Sequence, residues 1–196
     1  MEELAPGLHR WTVRHPAWEP GAEPGSPADW PPDVGSVAYE APDALVLVDP
    51  LVADWAPLDA LVERHAKPVV VLTTMRFHGR NRDDVAERYG AELRTHTVAP
   101  PAGVLRVPIA GMDETMVYLQ APRALVPGDR LLGSGGGLEL CPESWLGYID
   151  RSAPPSQAAL RAALAPLLEL DVELVLTSHG EPVLRDGAAA VRAALG

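Results

Sequence analysis

The stretch between residues 44 and 74 constrains the fold more than any other. Ala44-Leu45-Val46-Leu47-Val48 is a continuous apolar run ending in Asp49-Pro50, and residues 57–65 then carry Leu58, Leu61 and Val62 at helical spacing. Pro68-Val69-Val70-Val71-Leu72-Thr73-Thr74 follows as a second apolar run rich in β-branched residues. Such a run, without polar alternation, suits a strand covered on both faces. Strand, helix and strand in this order point to an α/β fold.

Residues 35–40 form a further β-rich run, joined to 44–48 by Ala41-Pro42-Asp43, so a hairpin precedes the helix. Downstream, a helix is predicted over 82–89 with its end at Gly90, and strands over 104–108, 115–119 and 124–126. A long helix is predicted over 156–169 with Ser156 as its N-cap, then a strand over 172–176 and a terminal helix from about Asp186. Strand runs divided by helical blocks, with no internal repeat, predict an α/β sandwich. Residues 15–34 contain Trp18, Trp30 and six prolines and read as a long ordered loop: a flap over a site, or a structural cover or interface.

The 196 residues suffice for one substantial core, and a single domain over 1–196 is expected. Sixteen Lys and Arg against 27 Asp and Glu give a formal charge of −11, with Lys67 the only lysine and no basic run. A nucleic acid or an anionic membrane surface would be repelled. No stretch approaches the apolar length of a membrane span, and Met1-Glu2-Glu3 is acidic where a signal peptide is basic, so a cytoplasmic protein is expected. One cysteine, Cys141, excludes an intrachain disulfide and any Cys-rich zinc motif, and is expected to be a buried inert thiol. Metal chemistry must use His and carboxylate.

Polar clusters follow three of the predicted strands, where α/β proteins place their sites. They are Arg76-Phe77-His78-Gly79-Arg80-Asn81, Pro127-Gly128-Asp129 and Ser178-His179-Gly180-Glu181-Pro182. Together with Val46-Leu47-Val48-Asp49, their order resembles the metallo-β-lactamase superfamily from about residue 36 to 183. The resemblance implies a four-layer αββα sandwich of two mixed sheets flanked by helices, with these loops at one edge. Asp49 would end the early strand in a structural role. Gly128-Asp129 and His179-Gly180 match two ligand loops of that family.

The family's His-x-His-x-Asp-His signature would fall at residues 76–81, where this chain has Arg76, His78, Arg80 and Asn81 and so keeps one ligand of four. Its central histidine would lie near Gly111-Met112-Asp113, and a thioether is a poor zinc ligand. The resemblance therefore implies loss of the standard two-zinc centre. Two outcomes remain: a non-catalytic or small-ligand-binding protein without metal, or a mononuclear hydrolase of an ester, thioester or lactam. In the second, His78, Asp129 and His179 hold one divalent ion, zinc or iron. Arg76 and Arg80 bring permanent charge where a cation would sit, and either could replace the metal by pairing with Asp129. Alternatively Arg76, Arg80 and Asn81 bind a small anionic molecule. A third reading makes the Trp-rich loop a protein-interaction surface, and a homo-oligomer stays open. His9, His15, His65 and His96 are expected in surface or loop roles.

Overall fold

The computed structural model describes residues 1–95 and 97–196, so the expectation for His96 falls outside the described residues. Six strands form the first sheet in chain order: β1 (Glu2–Ala5), β2 (Leu8–Arg14), β3 (Asp33–Glu40), β4 (Leu45–Val48), β5 (Val69–Leu72) and β6 (Glu92–Leu93). β3 and β4 are the predicted antiparallel hairpin. β4, β5 and β6 run parallel and are connected through α1 (Ala56–His65) and α2 (Arg82–Tyr89). Gly90 ends α2 in the left-handed conformation, as expected of a glycine just past a helix.

The second sheet is a meander of β7 (Val104–Ile109), β8 (Glu114–Leu119) and β9 (Ala124–Val126). After the hairpin of β10 (Leu131–Ser134) and β11 (Gly137–Leu140) come α3 (Glu143–Leu146) and α4 (Gln157–Leu164). β12 (Leu174–Val175) then joins the sheet parallel to β9, and α5 (Gly187–Leu195) follows.

Three apolar clusters separate four layers. Val46, Val48, Val70 and Leu72 of the first sheet meet Val117, Leu119 and Val126 of the second. Leu45, Leu47, Val69 and Val71 point the other way, onto Leu58, Leu61 and Val85 of α1 and α2. This two-sided burial is why residues 45–48 and 69–72 show no polar alternation: period-two side chains find core on both faces. Met116, Tyr118 and Leu125 cover the outer face of the second sheet against Leu160, Leu164 and Val191 of α4 and α5. The architecture is the expected αββα sandwich.

Two local expectations are corrected. The helix predicted over 156–169 is α-helical only to Leu164, after the Ser156 hydroxyl accepts the Ala159 N–H; a 3₁₀ turn over Ala165–Glu169 continues it. Pro166 accounts for the break, since its ring clashes with the preceding turn and it lacks an N–H. The strand predicted over 172–176 makes ladder pairs only at Leu174 and Val175. The sequence-based expectations do not include β1, β2, β6, the β10–β11 hairpin or α3, all of which the structure adds. Gly133 in that hairpin passes so close to the chain that an added Cβ would collide with the Glu181 carbonyl oxygen, and its N–H donates to the His179 carbonyl at 2.9 Å.

Candidate metal centre

Asp49 follows β4 and His78 follows β5, parallel neighbours in the first sheet; Asp129 follows β9 and His179 follows β12, parallel neighbours in the second. Ligand sites form at the carboxyl ends of such strands, and here two sheets deliver residues to one edge. His78 lies in a 3₁₀ turn, Arg76–Gly79, and is buried. Gly128 has no room for a side chain, because a Cβ would lie 2.9 Å from both Glu114 Oε2 and Thr74 Oγ1.

His78 Nδ1 is 2.8 Å from Asp49 Oδ2 and 3.0 Å from Thr74 Oγ1. Asp49 also accepts the Thr74 N–H at 2.9 Å and the Thr74 hydroxyl. A neutral His78 that donates Nδ1–H to Asp49 presents the Nε2 lone pair to Asp129, the usual way a carboxylate orients a metal-ligating imidazole. Nε2 stands 3.0 Å from Asp129 Oδ1, and His179 Nε2 stands 3.4 Å from the same oxygen. Asp129 Oδ1 and His179 Nδ1 are nevertheless buried without an aligned hydrogen bond. Two donors at about 2.0–2.1 Å from one tetrahedral ion are about 3.3 Å apart. The three residues offer donor atoms that all lie within 4.8 Å of one another. Two imidazoles and one carboxylate are a donor set for zinc or ferrous iron, so these residues fit one such ion.

Burial opposes charge on His78, but Asp129 and Asp49 outweigh it and raise its pKa to about 9. Burial likewise disfavours the Asp129 carboxylate, yet His78 and His179 hold it well below the usual carboxylate range.

The arginine-to-Asp129 salt bridge is not formed. Arg80 spends its guanidinium on the Gly35 and Asp49 carbonyls, at 2.7 and 2.8 Å, and on the Ser178 hydroxyl at 2.7 Å, tying three site loops together. Arg76 pairs with Asp113 at 3.2 Å and donates to the Tyr148 carbonyl. Asn81, the residue before α2, accepts the Val52 N–H and donates to Asp84 in the first turn of that helix. Of the three proposed ligand-binding residues, only Arg80 lines the cavity that contains His78, Asp129 and His179.

That cavity holds about 400 Å³, with walls from Trp30, Trp145, Phe77, Tyr148, Met75 and Val34. Trp30 and Trp145 each meet the His179 ring edge-on, with centroids 5.7 Å apart. Pro27, Trp30 and His15 place the 15–34 loop over the site. His15 therefore has a place in the cavity that sequence spacing did not suggest. Burial, then Arg80 and His179, lower its pKa. His9 is buried and His65 half-buried, each with its ring against a Glu40 carboxylate oxygen, at 3.1 and 3.3 Å. Cys141 is buried, and burial pushes its thiol pKa up.

Glu114 is the main residue that motif reading missed. Its buried carboxylate accepts the N–H groups of Gly128, Asp129 and Arg130 at 3.0, 2.8 and 3.0 Å, which fixes the Asp129 loop. Burial raises its pKa to about 7 against the pull of Arg130. Arg130 is itself buried and donates to the Met112 carbonyl at 3.1 Å.

No protein-family model and no curated protein matches the chain. Solved structures do. A metallo-beta-lactamase family protein from Thermus thermophilus superposes with a TM-score of 0.54 at 17% identity, over 97% of this chain and 79% of that one. A metallo beta lactamase from Erythrobacter litoralis gives 0.54 at 15% identity, over 99% and 89%. The chain has the metallo-β-lactamase fold. A flavodiiron protein from Giardia intestinalis also matches, at 0.54 and 14% identity over 99% of this chain and 58% of that one, so the names attached to this fold cover different chemistries. In this version of the metallo-β-lactamase fold, the turn after β5 brings His78 alone to the cluster, and Met112 is buried in the outer core. Among the described residues, no helix is long and apolar enough to cross a membrane.

Proposed function

We propose that this chain is a single-metal hydrolase that uses His78, Asp129 and His179 to hold one divalent ion. The observation that carries the reading is the convergence of two imidazole nitrogens on one buried Asp129 oxygen that has no aligned hydrogen bond. An ion there supplies Lewis acidity and lowers the pKa of a water molecule. Asp49 and Thr74 fix the orientation of His78, and Glu114 fixes the loop of Asp129. Trp30, Trp145, Phe77 and Tyr148 give the substrate an apolar wall. The substrate class this supports is a small ester, thioester or lactam with an aromatic or aliphatic portion.

A metal-free, ligand-binding protein is the second reading, favoured by the charges. A protonated His78 and Arg80 offset Asp49 and Asp129 without any ion. The same guanidinium disfavours a second cation at this edge. The interaction-surface reading has less support, because Trp11 and Trp18 donate their indole N–H groups to the Leu51 and Trp30 carbonyls and all three N-terminal tryptophans are partly buried.

The test is a panel of aryl and alkyl esters, thioesters and lactams, assayed with the chain loaded with zinc or ferrous iron and with a His179→Ala variant. Metal-dependent turnover that the variant loses supports the hydrolase. A fully loaded chain that turns over none of the panel overturns it in favour of the ligand-binding reading.

A further inference from the structure

A second cavity, of about 490 Å³, shares the Met75 wall with the metal centre and has a different chemistry. Arg76, Arg82, Arg94 and Arg106 line it, a quarter of the cationic side chains in a chain of net charge −11. They come from four places: the turn after β5, the first residue of α2, the residue after β6, and β7. Two carboxylates also line the cavity. Asp113 pairs with Arg76 Nε at 3.2 Å, while both oxygens of Glu114 are engaged by the Gly128–Arg130 amides. Outside the lining, Asp83 and Glu92 lie against Arg82 Nε and Arg94 Nε at 3.2 and 3.0 Å. The lining itself therefore holds four guanidiniums against two carboxylates, with Asp83 and Glu92 as counter-charges outside it.

The arginines are also crowded. Arg106 donates to the Arg94 carbonyl at 2.8 Å, and burial together with the Arg94 charge lowers its pKa. Thr73, Thr95 and Thr115 add hydroxyl-bearing side chains to the wall, and Val71, Leu93 and Ile109 give it an apolar part. Leu93 is 40% exposed, unusual for a leucine beside so much charge. Arg76, Arg94 and Arg106 also donate to the Tyr148, Ala99 and Val98 carbonyls. Each guanidinium has five N–H donors, more than these contacts use, and several planar forks suit a tetrahedral, multiply charged anion better than a flat carboxylate.

We propose that this cavity is a binding site for a phosphorylated small molecule, with the phosphoryl group among Arg76, Arg82, Arg94 and Arg106 and the carbon skeleton against Leu93 and Ile109. The site does not depend on the metal centre. Nucleic acid is a poor candidate because the cavity is local and the rest of the chain is strongly acidic.

The test is calorimetric titration of the chelator-treated full chain with inorganic pyrophosphate, and separately with citrate, at two salt concentrations. Chelation removes any contribution from an ion held by His78, Asp129 and His179. One pyrophosphate per chain is expected, weakened by salt and weakened about tenfold in each of Arg82→Ala and Arg94→Gln, since each removes charge-assisted hydrogen bonds. Arg123→Ala, an exposed change beside Asp171 and Glu173, should leave it unaltered. Citrate should bind at least about tenfold more weakly than pyrophosphate. No binding at millimolar pyrophosphate, equal binding in both cavity variants, or tighter binding of citrate overturns the proposal.

Discussion

If His78 is a ligand, loading the centre must release its proton, and the structure sets the size of the effect. In the metal-free chain burial disfavours the imidazolium, but Asp129 and Asp49 raise its pKa from 6.5 to about 9. At about 1.36 kcal/mol per pH unit, the difference is worth roughly 3 kcal/mol. Because the folded value lies above the unfolded one, this contribution to metal-free stability is complete below about pH 6.5 and is lost as pH rises through about 9. An ion at Nε2 competes with the proton. Its apparent affinity should therefore rise about tenfold per pH unit, or about 100-fold from pH 6.5 to 8.5, and level off above about pH 9. Competition against a chromophoric chelator, corrected for the chelator's own protonation, measures this directly. Asp49→Asn removes one of the two carboxylates that raise the pKa, so its curve should level off at lower pH. Affinity that stays flat between pH 6.5 and 8.5 would show that no proton leaves His78 and would refute its role as a ligand.

Further substitutions probe the support of the centre. Glu114→Gln turns an NH₂ towards at least one of three amide donors, at a cost of about 1–3 kcal/mol. It should also weaken metal binding by about 10–100-fold. Melting curves and chelator competition read the two effects separately, and lost stability with wild-type metal affinity would show that Glu114 does not position Asp129. Gly128→Ala forces a Cβ to 2.9 Å from Glu114 Oε2 and Thr74 Oγ1 and should cost about 1–3 kcal/mol in urea unfolding; an unchanged midpoint would contradict the packing described for this loop. Ser156→Ala should lower stability by about 1 kcal/mol through loss of the N-cap on α4, and a wild-type urea midpoint would mean the cap contributes nothing.

The sandwich was legible because residues 45–48 and 69–72 are apolar on both faces, and because Gly90 ends α2 and Ser156 caps α4 as local chemistry favours. β2 was not, since His9, Arg10, Trp11, Thr12 and Arg14 mask its alternation, and the pairing that makes it a strand is with β3, some twenty residues away. At the site, His78, Asp129 and His179 were legible because each lies in a polar cluster that follows a strand. Glu114 was not: it opens β8, and only the approach of the Gly128 loop in three dimensions gives its carboxylate three donors. The arginines were half legible. Their charge was visible in the sequence, but Arg80 goes to carbonyls and a hydroxyl and Arg76 to Asp113 and a second cavity, because guanidinium donors take whatever oxygen the tertiary fold places within reach. His15 and Trp30 reach the cavity only through the path of a loop that no local rule specifies.

The most direct test of the single-ion account is elemental analysis of the purified chain after dialysis against zinc, iron and manganese, with a His78→Ala, His179→Ala double variant alongside. The account predicts close to one zinc or iron per chain and next to none in the folded double variant. Metal far below one per chain under every condition, or equal metal in the double variant, would contradict it.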